Sequence, residues 1–341
     1  MFVNTHTGNI YEQQRANHLL TALLVSTFLL YYLLLGYGTD IFLLKNDSLG
    51  LIYPASGKIP RATILALFLS SVYTVFVFFR GDDLVLNSVN KLERVWWDDR
   101  SYQELIDIVK EMSIAAGVPM PSIYIVSDYD PNAFSVGRDP KNASIGVTSG
   151  LLQKLDREEL QAVIAHEMAH IRNHDIRLMT LLATLMGGSM LLFAYIQVRW
   201  LQSLGILRRI VVIGGVTAFF LVWVGMVVLA PLVSRVLTLL ISHEREYQAD
   251  ATAAEMTRNP VGILRALEKL DFFAGPTWSI GPAIGHLCVV SPMGKYIQAE
   301  GQSLFQRLYF KTHPPMIKRI VAMRAMGYIQ EAKPHHPDKQ L

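Results

Sequence analysis

His166-Glu167-Met168-Ala169-His170 is the stretch of this chain whose residue types and spacing state a chemistry. On a helix, residues four apart share a face one turn apart. Two imidazoles can therefore reach one ion while the carboxylate between them stays free to move a proton. A metal site and a general base arrive together, which is the equipment of a zinc hydrolase. The chemistry needs a helix, and the flanks supply one. Asp156 followed three residues later by Glu159 reads as a capping box, and Leu160, Val163, Ile164, Met168 and Ile171 keep a helical apolar period.

A catalytic zinc takes three protein ligands and leaves its fourth position open. His174 lies one turn beyond His170, but three ligands on successive turns of a straight helix span about 12 Å, too far for bonds of about 2.1 Å to one ion. A third histidine six residues after the second is ruled out by Ile176. The remaining ligand must be remote, and the densest polar cluster on an otherwise apolar helix is Ser242 to Asp250. There Glu246 and Asp250 share a face: Glu246 offers a ligand, and Asp250 a hydrogen bond that fixes the tautomer of a ligating imidazole. His243 and Glu244 compete with Glu246 for the ligand position. The lone cysteine, Cys288, permits neither an internal disulfide nor a cysteine-rich zinc site, so the ligands are nitrogen and oxygen and Cys288 itself reads as packing.

These residues must be positioned by an unusually apolar chain. Of 341 residues 51% are hydrophobic and 17% charged, with a mean hydropathy of +0.30; that balance excludes an ordinary soluble enzyme of this size and points to a membrane protein. Four uncharged stretches carry the excess: His18 to Thr39, Ala62 to Phe79, Leu178 to Val198 and Ile210 to Ser234. Each is close to the ~20 residues that span a bilayer core. The first is too long for the apolar part of a cleavable signal and lacks a small-residue cleavage site, so it reads as a retained anchor. A net charge of +3 with scattered basic residues gives no argument for nucleic acid.

The expected organisation follows. Residues 1–80 form a hairpin of two spans, 81–177 the first part of a catalytic domain, 178–234 a second hairpin, 235–330 the second part of the catalytic domain, and 331–341 a polar tail. Within the first catalytic part, Tyr102 to Ala116 reads as a helix, Ser122 to Val126 and Ala143 to Thr148 as strands, and Asp130-Pro131 and Asp139-Pro140 as turns. Trp96 and Trp97 suit a membrane surface. Residues 236–256 and 261–270 read as helices separated at Asn259-Pro260, and the Gly- and Pro-rich segment Phe272 to Ser291 as a loop, a membrane-dipping piece or a substrate wall. The fold class is thus a mainly α membrane protein with a small α+β, zincin-like catalytic domain, two of about four transmembrane helices being inserted between the motif helix and the third-ligand helix.

The combination His166-Glu167-x-x-His170, Glu246-x-x-x-Asp250 and two spans between them resembles the membrane-integrated gluzincins, the group of the HtpX heat-shock proteases and the CAAX prenyl proteases. Asn132-Ala133-Phe134, Ile171-Arg172-Asn173-His174-Asp175, and His313-Pro314 with Arg319 are similar to further motifs of that group. Four spans favour the HtpX branch. The resemblance implies Glu246 as third ligand of one zinc ion per chain and residues 132–137 as an edge strand that grips an extended substrate, with Asn132, Ala133 and Phe134 in contact with it. It also implies that His313 and Arg319 stabilise the oxyanion or hold the substrate carbonyl. In that scheme Glu167 takes the proton of the attacking water and passes it to the leaving amine.

The implied activity is endoproteolysis of membrane or misfolded proteins in a multi-pass protein of a bacterial inner membrane. Arg80, Lys91, Arg94, Arg172, Arg177 and Arg235 flank the catalytic side, against Lys45, Lys58, Arg199, Arg208 and Arg209 in the two opposite loops, a bias toward a cytoplasmic site. The competing functions are trimming of a lipid-modified peptide, which calls for a deep apolar chamber and more spans, and a non-catalytic metal-binding membrane protein, which has no use for the free carboxylate of Glu167.

Overall fold

The computed structural model describes residues 10–42, 44, 46, 49, 58–185, 243–292 and 314–331. Two long helices, α1 (Ile10–Phe42) and α2 (Arg61–Ser88), pack against each other as a hairpin. Both are long and apolar enough to cross a membrane. Leu19, Leu23, Leu30 and Leu34 on α1 and Phe68, Val72, Phe76 and Phe79 on α2 are exposed; an apolar surface of this extent suits lipid rather than water. At Gly36 the two backbones approach so closely that a Cβ would lie 2.6 Å from the Cα of Thr63. One turn on, the buried Asp40 carboxylate accepts the N–H groups of Ala62 (3.1 Å) and Thr63 (2.8 Å) and the Thr63 hydroxyl (2.7 Å). Pro60 offers no side-chain cap, so the first turn of α2 is capped by α1.

The hairpin extends beyond the apolar stretches that mark it in the sequence. A helix of 33 residues is about 50 Å long against a hydrocarbon core of about 30 Å. The excess of α1 is its polar start, with Glu12, Gln14, Arg15 and Asn17, and it reaches the catalytic domain. Likewise α2 runs past Arg80, where the composition changes, to Ser88. Arg80 and Asp83 pair across its exposed face at 3.0 Å while Gly81, Val85 and Leu86 are buried. Charges confined to one face leave the helix intact.

The catalytic domain is built on a four-stranded sheet of order β1-β2-β4-β3, with β1 Leu92–Val95, β2 Ser122–Val126, β3 Ala133–Gly137 and β4 Ala143–Thr148. β2 and β4 are parallel, and the outer pairs are antiparallel. One face packs against α3 (Gln103–Ala116) and α5 (Arg157–Arg172) through Ile108, Val109, Met112, Ile123, Ile145, Val163 and Met168. The other face meets the end of α2, a helical stretch over residues 175–185 and the 280s loop, through Val85, Phe134, Val136, Leu178, Leu182 and Ile284. A short α4 (Ser149–Lys154) joins β4 to α5. Behind α5 lie α6 (His243–Thr257), α7 (Pro260–Phe272) and α8 (Met316–Glu331).

The expected helix, the two expected strands and the motif helix are all found, with the edge strand as β3. β1, only four residues long, gave no period-2 signal to read. Of the third apolar stretch only residues 178–185 are described, helical and buried. The rest of it, the fourth stretch, residues 236–242, His313 and the tail after Glu331 lie outside the described residues.

Candidate active site

α5 opens on the expected capping box: the Asp156 carboxylate accepts the Glu159 N–H at 3.0 Å and Glu159 accepts the Asp156 N–H at 2.9 Å. This fixes the helix start, and with it the rotation that turns His166 and His170 to α6. Ala165 and Ala169 on α5 and Ala249 and Ala253 on α6 are fully buried. Small side chains let the two helices close on each other, bringing Glu246 and Asp250 to the histidines.

His166 Nε2 and His170 Nε2 face each other at 3.2 Å. Glu246 lies 3.7 Å from the first through Oε2 and 3.8 Å from the second through Oε1. Three ligands bonded at about 2.1 Å in a tetrahedral shell stand about 3.4 Å apart, so these spacings fit zinc. Among the described residues, these three form the one group able to hold a metal ion. Each histidine is aimed from behind. Asp250 accepts from His166 Nδ1 and Asp175 from His170 Nδ1, both at 2.9 Å. With Nδ1–H engaged, the lone pair of each Nε2 points into the shared space. His243 and Glu244, the competing ligands, are exposed.

Glu167 lines the same cleft, fully buried, with the hydroxyl of Ser135 on β3 hydrogen-bonded to its carboxylate and its Oε2 without a hydrogen-bond partner. Burial raises its pKa, against the opposing pull of His166, His170 and Ser135. Such a carboxyl takes and returns a proton more readily than an ordinary one. Burial alone would lower the pKa of His170, but the hydrogen bond it donates to Asp175 and the charges of Glu246, Asp175 and Glu167 push it up to about 9.

Arg319, on α8, approaches the site from the side of Asp250. It is 1% exposed and sits behind the ligands. Its Nε and Nη2 donate to Asp250 at 2.8 and 2.6 Å, and its Nη1 donates to the Val289 carbonyl at 3.1 Å and lies 3.1 Å from Glu246 Oε2. Burial alone would discharge it; Asp250, Glu246 and Glu167 keep it firmly protonated. In turn, Arg319 outweighs burial at Asp250 and holds that carboxyl below the usual range. The guanidinium therefore braces the Asp250 and Glu246 carboxylates. His313, its predicted companion, lies outside the described residues.

The predicted substrate segment lies on the edge strand β3, and part of that edge is covered. Asn132, Ala133 and Phe134 are buried, and the Phe134 ring lies across the bare Cα of Gly146 on β4. What β3 can offer a substrate is its outer main chain, and part of that is taken. Val289 N–H donates to the Ala133 carbonyl at 2.9 Å, and Cys288 bridges Phe134 in antiparallel fashion. Asn132 ties the segment down by donating to the Val290 carbonyl at 2.9 Å. The segment Phe272 to Ser291 is largely loop, and within it His286, Leu287 and Cys288 line the cleft. Burial pushes the Cys288 thiol pKa up, so it stays un-ionised packing.

Sequence reasoning missed Asp175 and Ser135. Asp175 follows a turn in which His174 adopts φ +62°. The reversal swings Asp175 back to His170 and points His174 to His18, with ring centroids 5.5 Å apart. A left-handed histidine leaves only a weak mark in the sequence, since histidine is merely enriched in that conformation.

Two measurements follow. Zinc must displace the proton of His170, so metal affinity is expected to fall as pH drops below about 9, by up to about tenfold per unit from this group. Calorimetry in buffers of differing protonation enthalpy should register about one proton released per ion near neutral pH; a flat affinity profile with no proton release would contradict the assignment. Arg319→Ala strands the buried Asp250 charge and is expected to cost about 3–5 kcal/mol of stability, read as a lowered thermal midpoint. A variant with an unchanged midpoint and only slower turnover would restore Arg319 to a substrate-facing role.

A family model described as peptidase family M48 matches residues 99–327. A "Protease HtpX homolog" of Caldanaerobacter subterraneus subsp. tengcongensis is 35% identical over 93% of this chain and 98% of its own length. One of Streptococcus uberis is 33% identical over 93% of this chain and all of its own length. Among solved structures, Ste24p of S. mikatae is similar at 17% identity and a TM-score of 0.44, over 92% of this chain and 66% of that one. With the motif matched along the catalytic domain and two apolar helices beside it, the chain belongs to peptidase family M48, as a membrane-integrated zinc metallopeptidase.

Proposed function

We propose that His166, His170 and Glu246 hold one zinc ion per chain and that Glu167 is the general base in hydrolysis of peptide bonds in extended segments of membrane or misfolded proteins. The observation that carries this reading is the convergence of three ligand side chains, each braced from behind, on the cleft that holds the Glu167 carboxylate. A zinc ion bound there supplies a Lewis acid that polarises a carbonyl and makes water more acidic. Glu167 accepts the proton of the attacking water at Oε2, while Ser135 steadies the carboxylate. It then delivers that proton to the leaving amine. Asp250 and Asp175 keep both imidazoles in the tautomer that ligates through Nε2. His313 is assigned to the oxyanion on the family motif alone.

The substrate backbone pairs with the outer edge of β3. Main-chain pairing accepts any unfolded sequence, which suits quality control. Residues 287–289 occupy part of that edge, so a substrate strand enters by displacing them. The full membrane portion comprises four spans, with residues 178–198 and 210–234 supplying the second pair. The catalytic domain faces the cytoplasm of a bacterial cell, in keeping with the basic residues around it.

Purified full-length protein and a model membrane substrate test the assignment. Glu167→Gln is expected to retain zinc by elemental analysis while cleavage drops by at least about a thousandfold. Glu246→Ala should lose both metal and activity. Proteolysis surviving in the Glu167→Gln protein would remove the general-base role, and undiminished zinc in Glu246→Ala would remove that ligand.

A further inference from the structure

The polar start of the membrane helix α1 does more than dock. Asn17, 5% exposed, donates from Nδ2 to the Asn173 carbonyl at 2.9 Å and to Asp175 Oδ1 at 2.6 Å. Both partners are acceptors, so the amide must present its NH2 group to them. The other oxygen of the same carboxylate, Asp175 Oδ2, accepts from His170 Nδ1 at 2.9 Å. Asn17 thus bridges the two residues that flank His174, the one with left-handed backbone, and holds the reversal that returns Asp175 to the metal helix. Nearby, Gln14 donates to the Arg172 carbonyl at 2.9 Å and His18 lies 3.1 Å from Arg177 Nη1. Of these three α1 side chains, only Asn17 connects onward, through Asp175, to His170.

We infer that Asn17 is a positioning residue of the metal centre: its amide orients the Asp175 carboxylate, which in turn aims His170. The inference rests on the zinc assignment proposed above. An outer partner of a metal ligand tunes affinity by fixing the ligand's tautomer and direction, and here that partner is itself oriented from a helix more than 150 residues earlier in the chain. The consequence is that the anchor helix belongs to the metal site, so the catalytic domain and its membrane hairpin form one functional unit.

The test uses the full-length protein in detergent, stripped of metal and titrated with zinc against a chromophoric chelator and with cobalt(II) for its visible spectrum. Asn17→Leu keeps the volume and removes both donors; Asn17→Asp keeps the shape and removes the NH2 group. Each is expected to weaken metal binding about tenfold, the lower end for an outer-shell partner, and to alter the cobalt spectrum. Gln14→Leu, which loses a docking bond with no path to the metal, should leave both unchanged. In an Asp175→Asn background, Asn17→Leu should cause no further loss, because the two act in series. Wild-type affinity in both Asn17 variants, or a tenfold loss that persists unchanged in the Asp175→Asn background, would overturn the inference alone. A wild-type protein that takes up neither metal would sink the zinc assignment and this inference with it.

Discussion

The centre of this protein is a cluster of buried carboxylates that outnumber the cations beside them. Around the site, Glu167, Asp175, Glu246 and Asp250 are buried, against the two guanidiniums of Arg245 and Arg319. The carboxylates outnumber the guanidiniums, an acidic excess that suits a cation. Burying such an excess is costly unless something balances it, and the elevated proton affinity of His170 is the response of the protein without metal. On the proposed assignment, an ion held there would stabilise the α5–α6 contact as it binds.

Much of this was legible in the sequence because it is local. The two histidines and Glu167 share a helix turn, the Asp156–Glu159 box lies within one turn, and Glu246 and Asp250 repeat on one face. What escaped depends on contacts between distant residues. The position of Arg319 behind Asp250 joins α8 to α6, and nothing in the linear pattern says whether a guanidinium faces substrate or braces a ligand. Asp175 was in view as part of a motif, yet its role depends on a left-handed turn at His174 and on Asn17, far upstream. The edge strand could be inferred from family likeness, but its partial cover by residues 287–289 could not.

The membrane hairpin and the catalytic domain share their packing as well as their chemistry. The end of α2, residues 175–185 and the 280s loop cover one face of the sheet, so the strand that bears Ser135 lies against the same core as the membrane-proximal helix. Asp40 caps α2 from α1, which couples the two helices at the end remote from the site. Detergent or lipid that separates the hairpin therefore acts on the sheet as well as on the anchor.

The clip between Val289 and Ala133 has a kinetic consequence. On the proposed pairing of substrate with β3, a tethered strand competes for its own groove at the millimolar effective concentrations typical of short linkers, so an incoming chain would have to outcompete a neighbour that never diffuses away. Compact loops on well-folded proteins lack the free length to do so, whereas a long unravelled stretch can trade one pairing after another along the groove. Selection for damaged over healthy proteins could then arise from the geometry of a single internal contact, with no need to read side chains.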